Sequence, residues 1–437
     1  MNFSINSPVL QDAFYIQRFG TDDFMPAVCT GPEDELTAAR KTAWLGCQLN
    51  ISPVYDVYGS EAIEFLNWVC VNRDFAKMTD GSSRHAIICN EKGQMVSEGV
   101  ILKFADHFRT YWLAPVIATL VDRSEFDVQG SWVFDEYFFQ IDGPKSLEVM
   151  EKASNTNIHD LKFAQNKDIQ IAGHKVRIHR LGMSGALAYE FHGPSSEADD
   201  VYAAVREAGR EFEIRALGCV HYCMNHTPGG YPNQHIHYSF PFSESGYDGP
   251  EYNAMTHNHL GSCLGDDESY YVTPFDVSWD YLINYDHEFI GKEALQKLAS
   301  EPRSLCVTLE WNADDVGDII ASRSKGDSVT PFDRIDNLRD GTDPGHWTDL
   351  TVDKVIIGGT VIGRTSGRVH DYYYKKTLSL AFIKEEYAKE GTDVIVLWGT
   401  PGTPQKEVHA TVARFPYYNE EYRNETFEVS AIPQFTE

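Results

Sequence analysis

Apolar residues recur at helical spacing at Ala62, Ile63, Leu66, Trp68 and Val69, directly after an extended stretch over 50–58 that Gly59 closes. The chain therefore passes from strand to helix there. The run 85–94 reads as a strand entering a tight turn at Asn90-Glu91-Lys92-Gly93, and 95–104 and 110–113 read as further strands. The order then returns. Residues 132–141 look like a strand ending at Asp142-Gly143-Pro144, 146–153 a helix, 169–171 and 174–179 strands, and about 197–209 a helix. Strand–helix–strand–strand order occurring twice predicts two related α+β halves packed together. From 302 onward the texture changes to β-branched runs at 305–309, 354–362, 377–383, 394–397 and 408–413 with no helices between them. That pattern predicts a separate all-β domain. Residues 1–40 read as an irregular extension ending in an acidic helix start, and the polar stretch 313–353 as a long loop.

Length and composition narrow the picture. A chain of 437 residues is too long for one ordinary core, and 42% hydrophobic with 13% aromatic residues marks it as globular. No apolar run reaches the length of a membrane span and the N-terminus has no basic-then-apolar pattern, so a cytoplasmic protein without a membrane partner is expected. A net charge of −28 repels phosphate backbones and argues against nucleic acid. The eight cysteines form no CxxC pair, which indicates neither a disulfide framework nor a zinc ribbon. A monomer or homodimer is the ordinary expectation.

Several blocks resemble one family. Asn90-Glu91-Lys92-Gly93 resembles the hairpin of glycine-cleavage T-proteins, and the segment Gly59 to Leu66 is similar to the one that opens their first helix. Gly182-Met183-Ser184-Gly185 followed by Tyr189-Glu190-Phe191 is similar to their Gly-Tyr-Thr-Gly…Glu block. Asp286 to Leu295 resembles their Asp-Phe-Ile-Gly-Arg-Glu-Ala-Leu signature, and Gly363-Arg364-Thr365-Ser366-Gly367 a glycine-bounded turn. Leu378 to Ile383 and Tyr387 to Thr392 resemble their C-terminal barrel. The resemblance runs over roughly residues 45 to 420. It implies an α+β fold of two related subdomains plus a C-terminal β-barrel, with residues 41–290 binding folate (halves 41–130 and 131–290) and 300–437 forming the barrel. The implied cofactor is tetrahydrofolate.

The departures shift the implied chemistry. Ser97-Glu98 stands where T-proteins acting on glycine carry paired aspartates, Met183 replaces a tyrosine, and 220–225 lacks their arginines. A branch that demethylates methoxylated aromatic acids carries Asp-Gln-Ser-His-His where this chain has Cys47-Gln48-Leu49-Asn50-Ile51, and also lengthens the loop after Gly229-Gly230-Tyr231-Pro232. Related members cleave sulfonium or methylenedioxy groups. The expectation is a transferase moving a methyl or methylene unit from a small aromatic ether to tetrahydrofolate. An amine-linked aminomethyltransferase or N-demethylase is the alternative, and a non-catalytic folate-binding assembly factor a third.

Phenolate leaves poorly, so the departing oxygen needs a proton and the acceptor nitrogen must be held in line. In the family, a carboxylate at the position of Glu190 binds the pterin; Met183 and Glu98 complete the expected cofactor contacts. Tyr238, Tyr247 and His237 are candidate proton donors, because a tyrosine's pKa of about 10 matches a phenol. Gln48, Tyr231 and His235 are candidate substrate contacts. The pairs His235/His237 and His257/His259, if on strands, put both imidazoles on one side with Glu244, Asp248 or Glu251 nearby, which would suit a metal. Loop histidines without a metal are commoner and the resembled family needs none, so no metal is expected. The segment Gly358 to Arg364 lacks the Lys-Ser/Thr and following helix of a P-loop, and no Gly-x-Gly-x-x-Gly follows a strand.

Overall fold

The computed structural model describes residues 3–19, 23–47, 54–335 and 349–434. One sheet has the strand order Ser83–Cys89, Met95–Lys103, Phe108–Tyr111, Val54–Tyr58, Gln129–Val133, all neighbours antiparallel. The helices Ala62–Val69 and Val116–Arg123 cover it, burying Phe65, Leu66, Val69, Ile117 and Leu120 against Val57, Ile87 and Ile101. A second sheet runs Asn166–Ile171, His174–His179, Ala188–Gly193, Tyr137–Asp142, Trp44–Cys47, Arg215–Leu217. Helices Ser146–Ser154 and Ala198–Gly209 pack on it through Leu147, Met150, Val201, Tyr202 and Val205. The two sheets repeat one plan, except that Trp44–Cys47 is inserted between the strand starting at Tyr137 and the one starting at Arg215.

The third unit is a closed antiparallel barrel of six strands. Its order is Asp349–Ile357, Thr360–Asp371, Lys376–Lys384, Ser304–Trp311, Lys406–Ala413, Asp393–Trp398, and the last pairs with the first. Alternate residues such as Val307, Leu309, Val355, Ile362, Val396 and Val408 fill it. The tail beyond the barrel returns to the second sheet. There Arg180 donates to the carbonyls of Asn424 (3.0 Å) and Phe427 (2.7 Å), and Val429 and Ile432 join the core.

Four sequence expectations change. The run 132–141 is two strands in different sheets, broken at 134–136. The run 354–362 folds back on itself, since Gly358 (φ +55°) and Gly359 (φ +79°) form a two-residue turn that lets Ile357 pair with Thr360. Positive φ at both central positions is what a tight hairpin requires. The supposed loop after 313 begins with the helix Ala313–Ser322, capped by Asn312, whose side chain accepts from the Asp314 and Asp315 amides. The N-terminal extension, expected to be irregular up to its acidic helix start, contains the hairpin Tyr15–Phe19/Asp23–Val28, and the helix Pro32–Lys41 follows where that start was read. Among the described residues no helix is long and apolar enough to cross a membrane.

Candidate active site

The second sheet alternates strictly. Tyr137, Phe139, Ile141, Tyr189, Phe191 and Ile178 enter the core beneath the helices, so Gln140, Asp142, Glu190, His192 and His179 face the opposite side. Register sets Glu190 between Gln140 and His179. Glu190 is buried, and the imidazoles of His179 and His192 stand 3.8 and 4.0 Å from its Oε2, beyond hydrogen-bonding distance. Burial, reinforced by the charge of Asp142, pushes its carboxyl up to about 8. Asp142 is itself raised to about 7 by burial, although Gln140 Nε2 (2.7 Å) and the Ser184 amide (3.2 Å) donate to it. Both ring nitrogens of His192 are buried without a partner, between the rings of Tyr111 and Phe138. Burial holds His192 well below the usual imidazole range.

A cavity of about 240 Å³ adjoins this row through Gly182 in its wall, where a Cβ would lie 2.9 Å from Asp142 Oδ2 and from Gln140 Nε2. Trp112, Phe163, Tyr222, Tyr231, Trp279 and Tyr281 supply aromatic wall, and His85, Glu98, His226, His235 and Glu425 supply polar groups. Tyr222 links wall to row, its hydroxyl donating to Gln140 Oε1 at 3.5 Å. On the first sheet, Glu98 Oε2 meets His85 Nε2 at 2.9 Å, and Tyr238 donates to Glu98 Oε1 at 3.2 Å. Trp112 adopts φ +70°, and Gly99 makes room for it: a Cβ there would lie 2.0 Å from the Tyr111 carbonyl oxygen and 2.8 Å from Trp112 Cβ.

Of the residues singled out from sequence, Glu98, Met183, Tyr231 and His235 line the cavity. Glu190 lies in the row that Tyr222 joins to it. Tyr238 is fully buried, with its hydroxyl directed at Glu98. Tyr247 packs against Tyr252 under the Arg123 guanidinium, outside the cavity lining. His237 is also outside it: the Asn233 amide donates to Nδ1 (3.0 Å), which leaves Nε2–H to donate to Thr227 Oγ1 (3.1 Å). Gln48 lies outside the described residues. The histidine pairs are rearranged, because 234–237 is a turn and not a strand. His235 Nδ1 meets His257 Nε2 at 3.1 Å, His257 Nδ1 meets Ser239 Oγ at 3.0 Å, and His259 stacks on Tyr270 at 3.8 Å. Among the described residues no group of three or more His, Cys, Asp or Glu side chains is placed to hold a metal ion.

Sequence reasoning missed His85, Trp112, Trp279 and Glu425. His85 carried a signal, since a strand ending at Cys89 and returning from Met95 sets it diagonally opposite Glu98. Glu425, in the returning tail where it accepts from Tyr231, carried none.

The GCVT N-terminal domain model matches residues 20–226. The chain is 41% identical over 432 residues to a sesamin methylene transferase of Sinomonas sp., with 94% of each chain covered. It is 28% identical over 427 residues to a syringate O-demethylase of Sphingobium sp., covering 90% of each. An aminomethyltransferase of Thermoanaerobacter pseudethanolicus is 22% identical over 84% of each chain. The crystal structure of glycine cleavage system aminomethyltransferase T from Bartonella henselae superposes with a TM-score of 0.67 at 16% identity, covering 94% of this chain and 96% of that one, and shares the fold. The chain belongs to the glycine-cleavage T-protein (GCVT) family of enzymes.

Proposed function

We propose that the protein transfers a one-carbon unit from a small aromatic ether to tetrahydrofolate. The observation that carries this reading is an aromatic-walled cavity beside a buried carboxylate, Glu190, to which no group among the described residues hydrogen-bonds, His179 and His192 standing 3.8 and 4.0 Å away. Such a carboxylate, with the unpartnered His192 beside it, fits a flat heterocycle rich in N–H donors, as a pterin is. Tetrahydrofolate, when bound, supplies the nucleophilic nitrogen that accepts the carbon. Glu190 would hold the pterin edge, with Met183 near it in the cavity wall, while Trp112, Trp279 and Tyr222 would sandwich the aromatic substrate and exclude water.

Identity of 41% to a protein named for methylene transfer, against 28% to one named for O-demethylation, favours a methylene bridge between two ring oxygens as the unit. Two C–O bonds then break, two C–N bonds form, and two amine protons end on the catechol oxygens. The carbon keeps its oxidation level, so no oxidant enters. A methyl ether, one C–O for one C–N bond, is the second reading, supported by the likeness to the O-demethylase. The purified protein incubated with methylenedioxy- and methoxybenzoates should form catechol or phenol only when tetrahydrofolate is present. Product formation without folate, or none with either substrate class, would contradict the reading.

A further inference from the structure

We infer that His85 hands the proton to the departing aryl oxygen, with Glu98 and Tyr238 as the residues that position it. The inference rests on the aromatic-ether reading. Ser83–Cys89 and Met95–Lys103 pair so that Ile87 faces Glu98 and His85 faces Val100, which leaves His85 and Glu98 as diagonal neighbours. Both line the cavity, and their 2.9 Å contact joins Nε2 to a carboxylate oxygen. A carboxylate accepts, so Nε2 carries a proton and Nδ1 is the nitrogen left to exchange one with the cavity. The His85 side chain is 31% exposed against 14% for Glu98, as suits an imidazole in front and its support behind.

The surroundings fix the ring. Strand Ser83–Cys89 is a sheet edge, and the buried Asn72 satisfies two of its outer backbone groups, at the histidine and just after it: Nδ2 donates to the His85 carbonyl (2.8 Å) and Oδ1 accepts from the Ile87 amide (2.9 Å). The indole of Trp279 meets the imidazole edge-on at 4.6 Å. Tyr238, fully buried and beside the Glu98 charge, has its phenol held well above the usual tyrosine range, so it stays protonated and donates to Glu98. Three other polar groups of the wall have protein partners already: His235 meets His257, His226 Nδ1 meets the Tyr231 carbonyl, and Tyr231 donates to Glu425, while the Tyr281 side chain is mostly exposed. In the step, the C–O bond breaks with its electron pair on the aryl oxygen and the imidazolium proton at Nδ1 moves onto that oxygen. The amine proton released as the C–N bond forms restores the imidazolium. The balance closes without an oxidant.

The test is a series of ring-substituted ethers whose phenols span several pKa units, run on wild type, His85→Gln, Glu98→Gln and Tyr238→Phe. For the poorest leaving groups H85Q should lose about 10²- to 10⁴-fold in kcat. The loss should shrink steadily as electron-withdrawing substituents stabilise the phenolate, with tetrahydrofolate binding unchanged. E98Q should steepen the same dependence and Y238F should do so less. A loss of equal size for every leaving group, or no loss at all, would overturn the assignment of His85. A wild type that cleaves no ether while still binding folate would overturn the underlying reading and this inference with it.

Discussion

Glu190 stands among groups that do not hydrogen-bond to it, and a buried carboxylate so placed favours its neutral form. Its folded pKa of about 8 lies above the 4.5 of an ordinary glutamate. The folded protein therefore binds more protons than the unfolded chain between those values, so this residue's contribution to stability falls as pH rises through the window. N–H donors from a pterin favour the ionised form, so binding releases a proton and tetrahydrofolate affinity should rise from pH 6 to 8. Titration calorimetry should show that rise in wild type and a clearly shallower one in Glu190→Gln, where Asp142, pushed up to about 7, still titrates in the window. Glu190→Ala should weaken binding about 10- to 100-fold, the loss of one or two charge-assisted hydrogen bonds. An unchanged dissociation constant would remove Glu190 from the cofactor site. Glu190 could be singled out from sequence because a local motif carries it. The acidity of its phenol makes Tyr238 a candidate from sequence, and what sequence does not show is that its hydroxyl is already committed to Glu98.

At the scale of elements, the segment 226–237 carries Tyr231 and His235 to the cavity, and its footing is His237. His237 Nε2 meets Thr227 Oγ1, which donates in turn to the Gly367 carbonyl of the barrel (2.6 Å). A Cβ on Gly367, at φ +62°, would come within 2.2 Å of the His237 ring. Both His237→Ala and Gly367→Ala should lower the thermal midpoint, by roughly 2–4 kcal/mol of stability, while leaving the leaving-group dependence of the rate at its wild-type slope. A changed slope in H237A would give His237 a part in the chemistry. The block around Gly367 was recognisable as a family motif, but its purpose was not, because a bulged strand and a distant loop meet there only in three dimensions. The helix Ala313–Ser322 escaped for the opposite reason: Asp314, Asp315 and Gly317 read as loop until Asn312 is seen to cap it.

The whole molecule builds its cavity from pieces far apart in sequence. The first sheet gives His85 and Glu98, the Gly182–Gly185 segment gives Met183, the loop gives Tyr231 and His235, and the tail beyond the barrel returns Glu425. The T-protein plan was legible because its blocks are local and keep their order, and the repeated strand–helix pattern was legible because each sheet needs one covered face. The walls were not, since each strand or loop offers one or two side chains and only packing selects which. The central claim is that this cavity passes a carbon from an aromatic ether to folate. The most direct measurement follows ¹³C from the methylene bridge of a labelled methylenedioxybenzoate by mass spectrometry, with the protein and tetrahydrofolate present. The label should appear in 5,10-methylenetetrahydrofolate in proportion to the catechol formed. Label released as free formaldehyde, with folate unlabelled and not needed, would contradict it.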